Sequence, residues 1–108
     1  MIELRRYVSR RGQDVFGGWL RKLRDRRARA KIETRLTRLA LGHFGDCKPL
    51  RGGVWEVRVD VGPGYRVYYA MVAKTIILLL CGGDKRTQSR DIDRAMDYWN
   101  DYRQRNEQ

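Results

Sequence analysis

Apolar positions along this chain change their spacing halfway. Ile2, Leu4 and Val8 fall two or four apart, which predicts a short first strand over residues 2–8. Phe16, Trp19, Leu20 and Leu23 then follow the i, i+3, i+4, i+7 rule of a helix with one apolar stripe. The paired Gly17 and Gly18 weaken that helix, so it is short or packs very close to a neighbour. Asp25 is placed to cap a second helix running to about Leu41, with Ala28, Ile32, Leu36, Leu39 and Ala40 as its stripe and Gly42 as its stop. These two segments predict a helical hairpin.

From residue 54 the period shortens to two. Trp55, Val57, Val59 and Val61 share one face of a strand, and Glu56, Arg58 and Asp60 share the other. Gly62-Pro63-Gly64 predicts a turn, with proline and the following glycine at the central positions of type II, and YRVYYAMV returns as the next strand. TIILLLC, residues 75–81, is apolar on both faces, as a covered interior strand requires. A last helix is predicted from Ile92, Ala95, Met96, Trp99 and Tyr102, with Ser89 as its cap and Asp91 and Asp93 in its first turn. The order is β-α-α-β-β-β-α. It predicts an α+β fold, a small antiparallel sheet with helices packed on one face and the polar side of residues 54–61 on the other.

The 108 residues suit one domain, with no linker, repeat or low-complexity stretch. No apolar run approaches the roughly 18–20 residues of a membrane span, and the start of the chain lacks the apolar core of a secretory signal. Cys47 and Cys81 have no CxxC partner and read as free thiols of a reducing compartment. Together these features predict a cytoplasmic protein that does not engage membranes.

Charge changes the picture most. Twenty-four Lys and Arg stand against thirteen Asp and Glu, a net +11, which calls for an anionic partner such as nucleic acid or an acidic protein. Glu56 and Arg58 share a strand face, and the hairpin brings Arg66 back toward them. Lys48 and Arg51 lead into that hairpin, and Asp84, Lys85 and Arg86 follow the apolar strand. Cations at several strand ends make a positive cleft suited to a phosphodiester backbone. The competing reading of Arg66 is a cross-strand ion pair with Glu56 or Asp60. Arg27, Lys31 and Arg35 on the second helix read either as a solvated face or as contacts to RNA phosphates. His43 is the only histidine, so a catalytic histidine pair is excluded. The carboxylates are scattered, and no P-loop, HExxH or dinucleotide fingerprint occurs, so neither a metal nor a cofactor is expected.

Three stretches, FGGWLRKLRDRRARAKIETRLTRLALGHFGDCKPL, GVWEVRVDVGPGYRVYY and LLLCGGDKRTQ with DIDRAMDYW, resemble the RelE/ParE superfamily of bacterial toxins, and within it the HigB-like addiction module killer proteins. The resemblance spans nearly the whole chain. It implies the same fold, a ribosome-dependent endoribonuclease that cuts mRNA in the decoding site without a metal, and a cognate antitoxin, a small helix-turn-helix protein, that silences it. It also implies roles for Arg66, after GY, on the scissile phosphate and for Arg58 on the preceding strand beside it. Attack by the RNA 2′-OH further needs a base and an acid, for which the candidates are Glu56 and Lys85, the latter alternatively a phosphate clamp. Glu56 stands where the RelE branch commonly has lysine, and the tyrosine those toxins place in the C-terminal segment has no counterpart at Arg90-Asp91-Ile92. Two other functions remain open, a ParE-like protein that poisons DNA gyrase by binding and a non-catalytic basic RNA-binding domain.

Overall fold

The structure is a computed structural model and describes residues 2–106. Five strands form one mixed sheet: β1 (Glu3–Arg6), β2 (Cys47–Pro49), β3 (Val54–Val59), β4 (Tyr65–Val72) and β5 (Ile76–Asp84), in the spatial order β1-β5-β4-β3-β2. Three helices, α1 (Val15–Lys22), α2 (Arg26–Ala40) and α3 (Gln88–Asn106), cover it. The α+β class and the order of the long elements are those the sequence predicts. The three-residue edge strand β2 is new, because two or three residues carry no legible period.

Two details differ from expectation. The sheet is mixed, since β1 runs parallel to β5 while every other pair is antiparallel. About 70 residues separate β1 from β5 in the chain, so no tight turn imposes a direction on them. The helices also lie on both faces. Residues 77 and 79 of β5 join Val57, Val59, Val67 and Tyr69 under Phe16, Leu20, Ile32, Leu36 and Leu39 of α1 and α2. Residues 78 and 80 join Val54, Tyr68 and Ala70 under Ala95 of α3, with Ile92, Met96 and Trp99 packed around them. A sheet apolar on both sides must bury both, so a second helical layer is obligatory.

Local chemistry sets the helix ends. Asp14 caps α1 by accepting from Gly17 N–H (3.0 Å) and pairs with Arg6 (3.0 Å). Asp25 caps α2 by accepting from Arg27 and Ala28 N–H (3.0 and 3.2 Å). Asp84, not Ser89, begins the last helical segment. Its carboxylate accepts from Arg86 N–H at 2.8 Å and opens a single 3-10 turn, Lys85–Thr87, that runs straight into α3. The hairpin turn also closes one residue earlier than expected. Gly64 N–H donates to Val61 C=O (3.0 Å), so Gly62, with φ +57°, and Pro63 are the central pair.

The glycines of β5 explain how both helical layers approach one strand. A Cβ on Gly82 would meet three ring atoms of Trp19 within 2.8 Å, on the α1 side. A Cβ on Gly83 would lie within 3.0 Å of the Asp91 carboxylate and the Thr87 hydroxyl, on the α3 side. Gly17 is equally constrained, by Arg6 and Asp14. Gly18 is not: only Arg21 comes within 4.0 Å of its missing Cβ, and its φ is not positive. The far end of α3 is clamped to β1. Tyr7 O–H donates to Asp101 (2.6 Å), and Arg10 and Arg105 reach the same carboxylate at 2.6 and 2.7 Å. The Tyr7 hydrogen bond above all, with Arg10 and Arg105 helping, holds Asp101 below the usual carboxylate range.

Candidate functional site

Register builds the site. In the β3–β4 ladder Arg58 stands directly opposite Arg66, and Glu56 opposite Tyr68, while on the outer side Lys48 of β2 faces Glu56. Alternation puts Glu56, Arg58, Arg66 and Tyr68 on the α3 face, where Tyr68 also joins the core beneath α3. Two arginines directly opposed on a sheet repel one another. Here Glu56 sits between them, fully buried, accepting a hydrogen bond from Arg66 and lying 3.9 Å from Arg58 Nε, too far for a hydrogen bond. Gln88, in the first turn of α3, donates its amide to the same carboxylate oxygen at 3.2 Å.

The pairing is incomplete. Glu56 Oε2, Arg58 Nε, Arg66 Nε and Tyr68 O–H are buried atoms without a hydrogen-bond partner. Buried polar atoms are ordinarily satisfied, and a cluster of orphans at one place marks a strain or a ligand position. Each guanidinium is a planar fork of N–H donors that matches phosphate oxygens, which a lysine ammonium is not, and two of them side by side double the positive charge. The Tyr68 hydroxyl lies in the same pocket of buried charge. Burial, and then the neighbouring Glu56, push its pKa far above the ordinary phenol range, so it stays protonated.

The tip after β5 is tied to this site by backbone. Lys85 N–H donates to Gly64 C=O (2.9 Å), and Gly83 lies opposite Arg66 in the β4–β5 ladder. Lys85 itself is exposed beside the start of β4. Rigid strands and this one bond therefore bring Glu56, Arg58, Arg66 and Lys85 to one end of the sheet. A family model for phage-derived proteins, Gp49-like (DUF891), matches residues 18–99. The chain belongs to that family.

This is a toxin-like family related to the RelE/ParE superfamily, and membership implies an antitoxin partner. The chain is also 50% identical over 81 residues to an uncharacterized protein of Haemophilus influenzae, covering 75% of this chain and 82% of the relative. In this Gp49-like chain the match runs from the second half of α1 to the middle of α3, so it includes every strand except β1 and all four residues gathered at the sheet end. Among the described residues no helix is long and apolar enough to cross a membrane.

The other candidates are spread more widely. Lys48 borders the site from β2. Arg51 pairs with Asp93 of α3 (2.7 Å), both side chains exposed. Asp84 is occupied as the cap and as the partner of Arg86 at 3.0 Å; that hydrogen bond is the main reason its carboxyl lies below the usual range. Arg27, Lys31 and Arg35 run along α2, whose apolar face packs on the opposite side of the sheet, so the fold does not bring them to the arginine pair. Arg35 turns inward and donates to Phe44 C=O at 3.2 Å. Gln88 and Tyr68 are the members that sequence reasoning missed. For Tyr68 the signal exists, since it lies two residues beyond Arg66 and so on the same face. Nothing in the sequence points Gln88 at Glu56, because that contact depends on where α3 begins.

Proposed function

We propose that this Gp49-like protein is the toxin of a type II toxin–antitoxin module and acts as a metal-independent, ribosome-dependent mRNA endoribonuclease. The observation that carries the reading is the opposed Arg58 and Arg66 with unpartnered N–H donors around one buried carboxylate. In the reaction the RNA 2′-oxygen bonds to the adjacent phosphorus, the bond to the 5′-oxygen breaks, and a proton passes from the first oxygen to the second. Charge builds on the non-bridging oxygens, and preorganised donors aimed there contribute most of the rate. Arg58 and Arg66 are those donors. Glu56, buried beneath them, is the counter-ion that fixes Arg66, a positioning role in place of the base expected from its sequence. Lys85, exposed at the rim, protonates the leaving oxygen, and solvent water takes the 2′ proton.

Lys48, Arg51, Arg86 and the α2 cations extend the positive surface toward mRNA and ribosomal RNA, and the antitoxin covers part of it. The family membership and the net charge of +11 support both partners. The test adds purified protein to a translating extract and maps mRNA ends, beside growth assays of induced wild type, Lys85→Ala, Arg58→Ala and the control Arg29→Ala. Codon-linked mRNA cuts, with growth restored by the first two variants and not by the control, are expected. Donor losses of this kind reduce rates about 10²–10³-fold. Intact mRNA with blocked gyrase supercoiling would overturn the proposal.

A further inference from the structure

A groove of about 660 Å³ lies between α1 and α3, along the edge of β5 where β1 no longer pairs with it. Its lining shares no residue with the arginine pair. Gly82 forms part of its floor, Trp19 gives it an aromatic ring, and Arg21, Lys22 and Arg94 give it three cations, while the Tyr98 ring is already stacked on Tyr7 (4.9 Å between centroids) with Arg94 over it. The one acid in the lining, Asp14, is committed to the α1 cap and to Arg6. Among the described residues neither Arg21 nor Lys22 has a carboxylate within ion-pair range, and the Arg94 guanidinium is held in place by the Tyr98 hydroxyl at 3.1 Å.

Gly18 is the second observation. It is a helix-weakening residue in the middle of α1 with neither a steric nor a backbone reason to be glycine, and it faces this groove. Any larger side chain there would project into the space. Its neighbour Gly17 is demanded by packing, so the pair has two different causes.

We infer that this groove binds one nucleotide of single-stranded RNA, with the base against Trp19 and the phosphate on Arg21 and Lys22. A cationic channel with aromatic rings is the usual means of holding a single strand, and the volume lies within the roughly 300–1,000 Å³ range of ligand sites. The floor residue Gly82 adjoins Gly83, which lies opposite Arg66. Gly82 is turned to the α1 side and Arg66 to the α3 side, so the nucleotide in the groove belongs to the cleaved strand where it rounds the end of the sheet. This placement rests on the endoribonuclease reading; the binding itself does not.

The experiment follows amide shifts of Gly12, Gly18 and Gly82 in the labelled full chain, by NMR, against three probes. These are a fully 2′-O-methylated RNA hexamer, which lacks the attacking hydroxyl, a free nucleoside 5′-monophosphate, and an oligoglutamate peptide. Shifts with the hexamer alone identify a strand subsite, and shifts with the monophosphate as well identify a site for nucleotides of either source. Gly18→Leu is expected to weaken binding about 10-fold, the loss of one base stack, while its melting temperature holds or rises. Arg21→Glu with Lys22→Glu provides an exposed second variant with the same expected loss. Silence with both nucleotide probes, a response to the peptide alone, or unchanged binding by both variants overturns the inference. mRNA cleavage with a silent groove would reject this site alone; a responsive groove without cleavage would reject the endoribonuclease reading alone.

Discussion

Replacing Glu56 by alanine tests the buried charge cluster directly. Glu56 is fully buried and the Arg66 side chain is only 12% exposed, so the pair is shielded from solvent on both sides. Removing one partner of a buried pair strands the other charge, and that costs about 3–5 kcal/mol, against at most about 1 kcal/mol for an exposed pair. At roughly 4–8 °C per kcal/mol for a chain of this size, the lower figure lowers the midpoint by about 12 °C or more. Glu56→Gln keeps the shape and one acceptor and should fall between. Glu56→Leu combined with Arg66→Met removes both charges, and the double variant should be more stable than Glu56→Ala while remaining non-toxic. Thermal and urea melts followed by circular dichroism read all four proteins. A loss under about 1 kcal/mol for Glu56→Ala, or a double variant less stable than the single, would refute the reasoning. The same burial makes Arg66→Ala a poor functional test on its own, since it leaves Glu56 without a cation and destabilises the fold. The ion pair with Glu56 is the competing reading of Arg66 that the hairpin already allowed.

Gly82→Ala should lose about 1–3 kcal/mol by driving a methyl into the Trp19 ring, whereas Gly18→Ala should gain up to about 1 kcal/mol; equal melts would disprove the packing account. Because Asp101 is depressed in the folded chain, its contribution is present above the ordinary carboxylate pKa near 3.8 and fades as pH falls below it. Tyr7→Phe should therefore reduce the acid-sensitive part of the melting curve, and an identical pH profile would argue against the clamp. Burial pushes the Cys81 thiol up to about 12, so near pH 8 a thiol reagent should label half-buried Cys47 quickly and Cys81 only after denaturation; rapid labelling of both would contradict that burial.

Much of the fold was legible because its signals are local. The period of 3.6 in Ala28, Ile32, Leu36 and Leu39, the alternation of Val57 and Val59, and Asp25 at a helix start each act within a few residues. The apolar run 75–81 even announced that both its faces would be covered. What it did not disclose is which element covers the second face, because a helix stripe names no partner. Direction was equally silent: Ile2 and Leu4 mark a strand, but only the completed sheet sets β1 parallel to β5. The site divides in the same way. Glu56, Arg58 and Arg66 could be named from alternation and the turn, since a period of two fixes faces. Their meeting could not, because one residue of register decides whether Arg58 opposes Arg66 or Val67. That register is chosen by the whole apolar set beneath the sheet, which must fit α1 and α2 at once. Gln88 over Glu56 and Trp19 against Gly82 are contacts between residues far apart in the chain, and only tertiary packing brings them together.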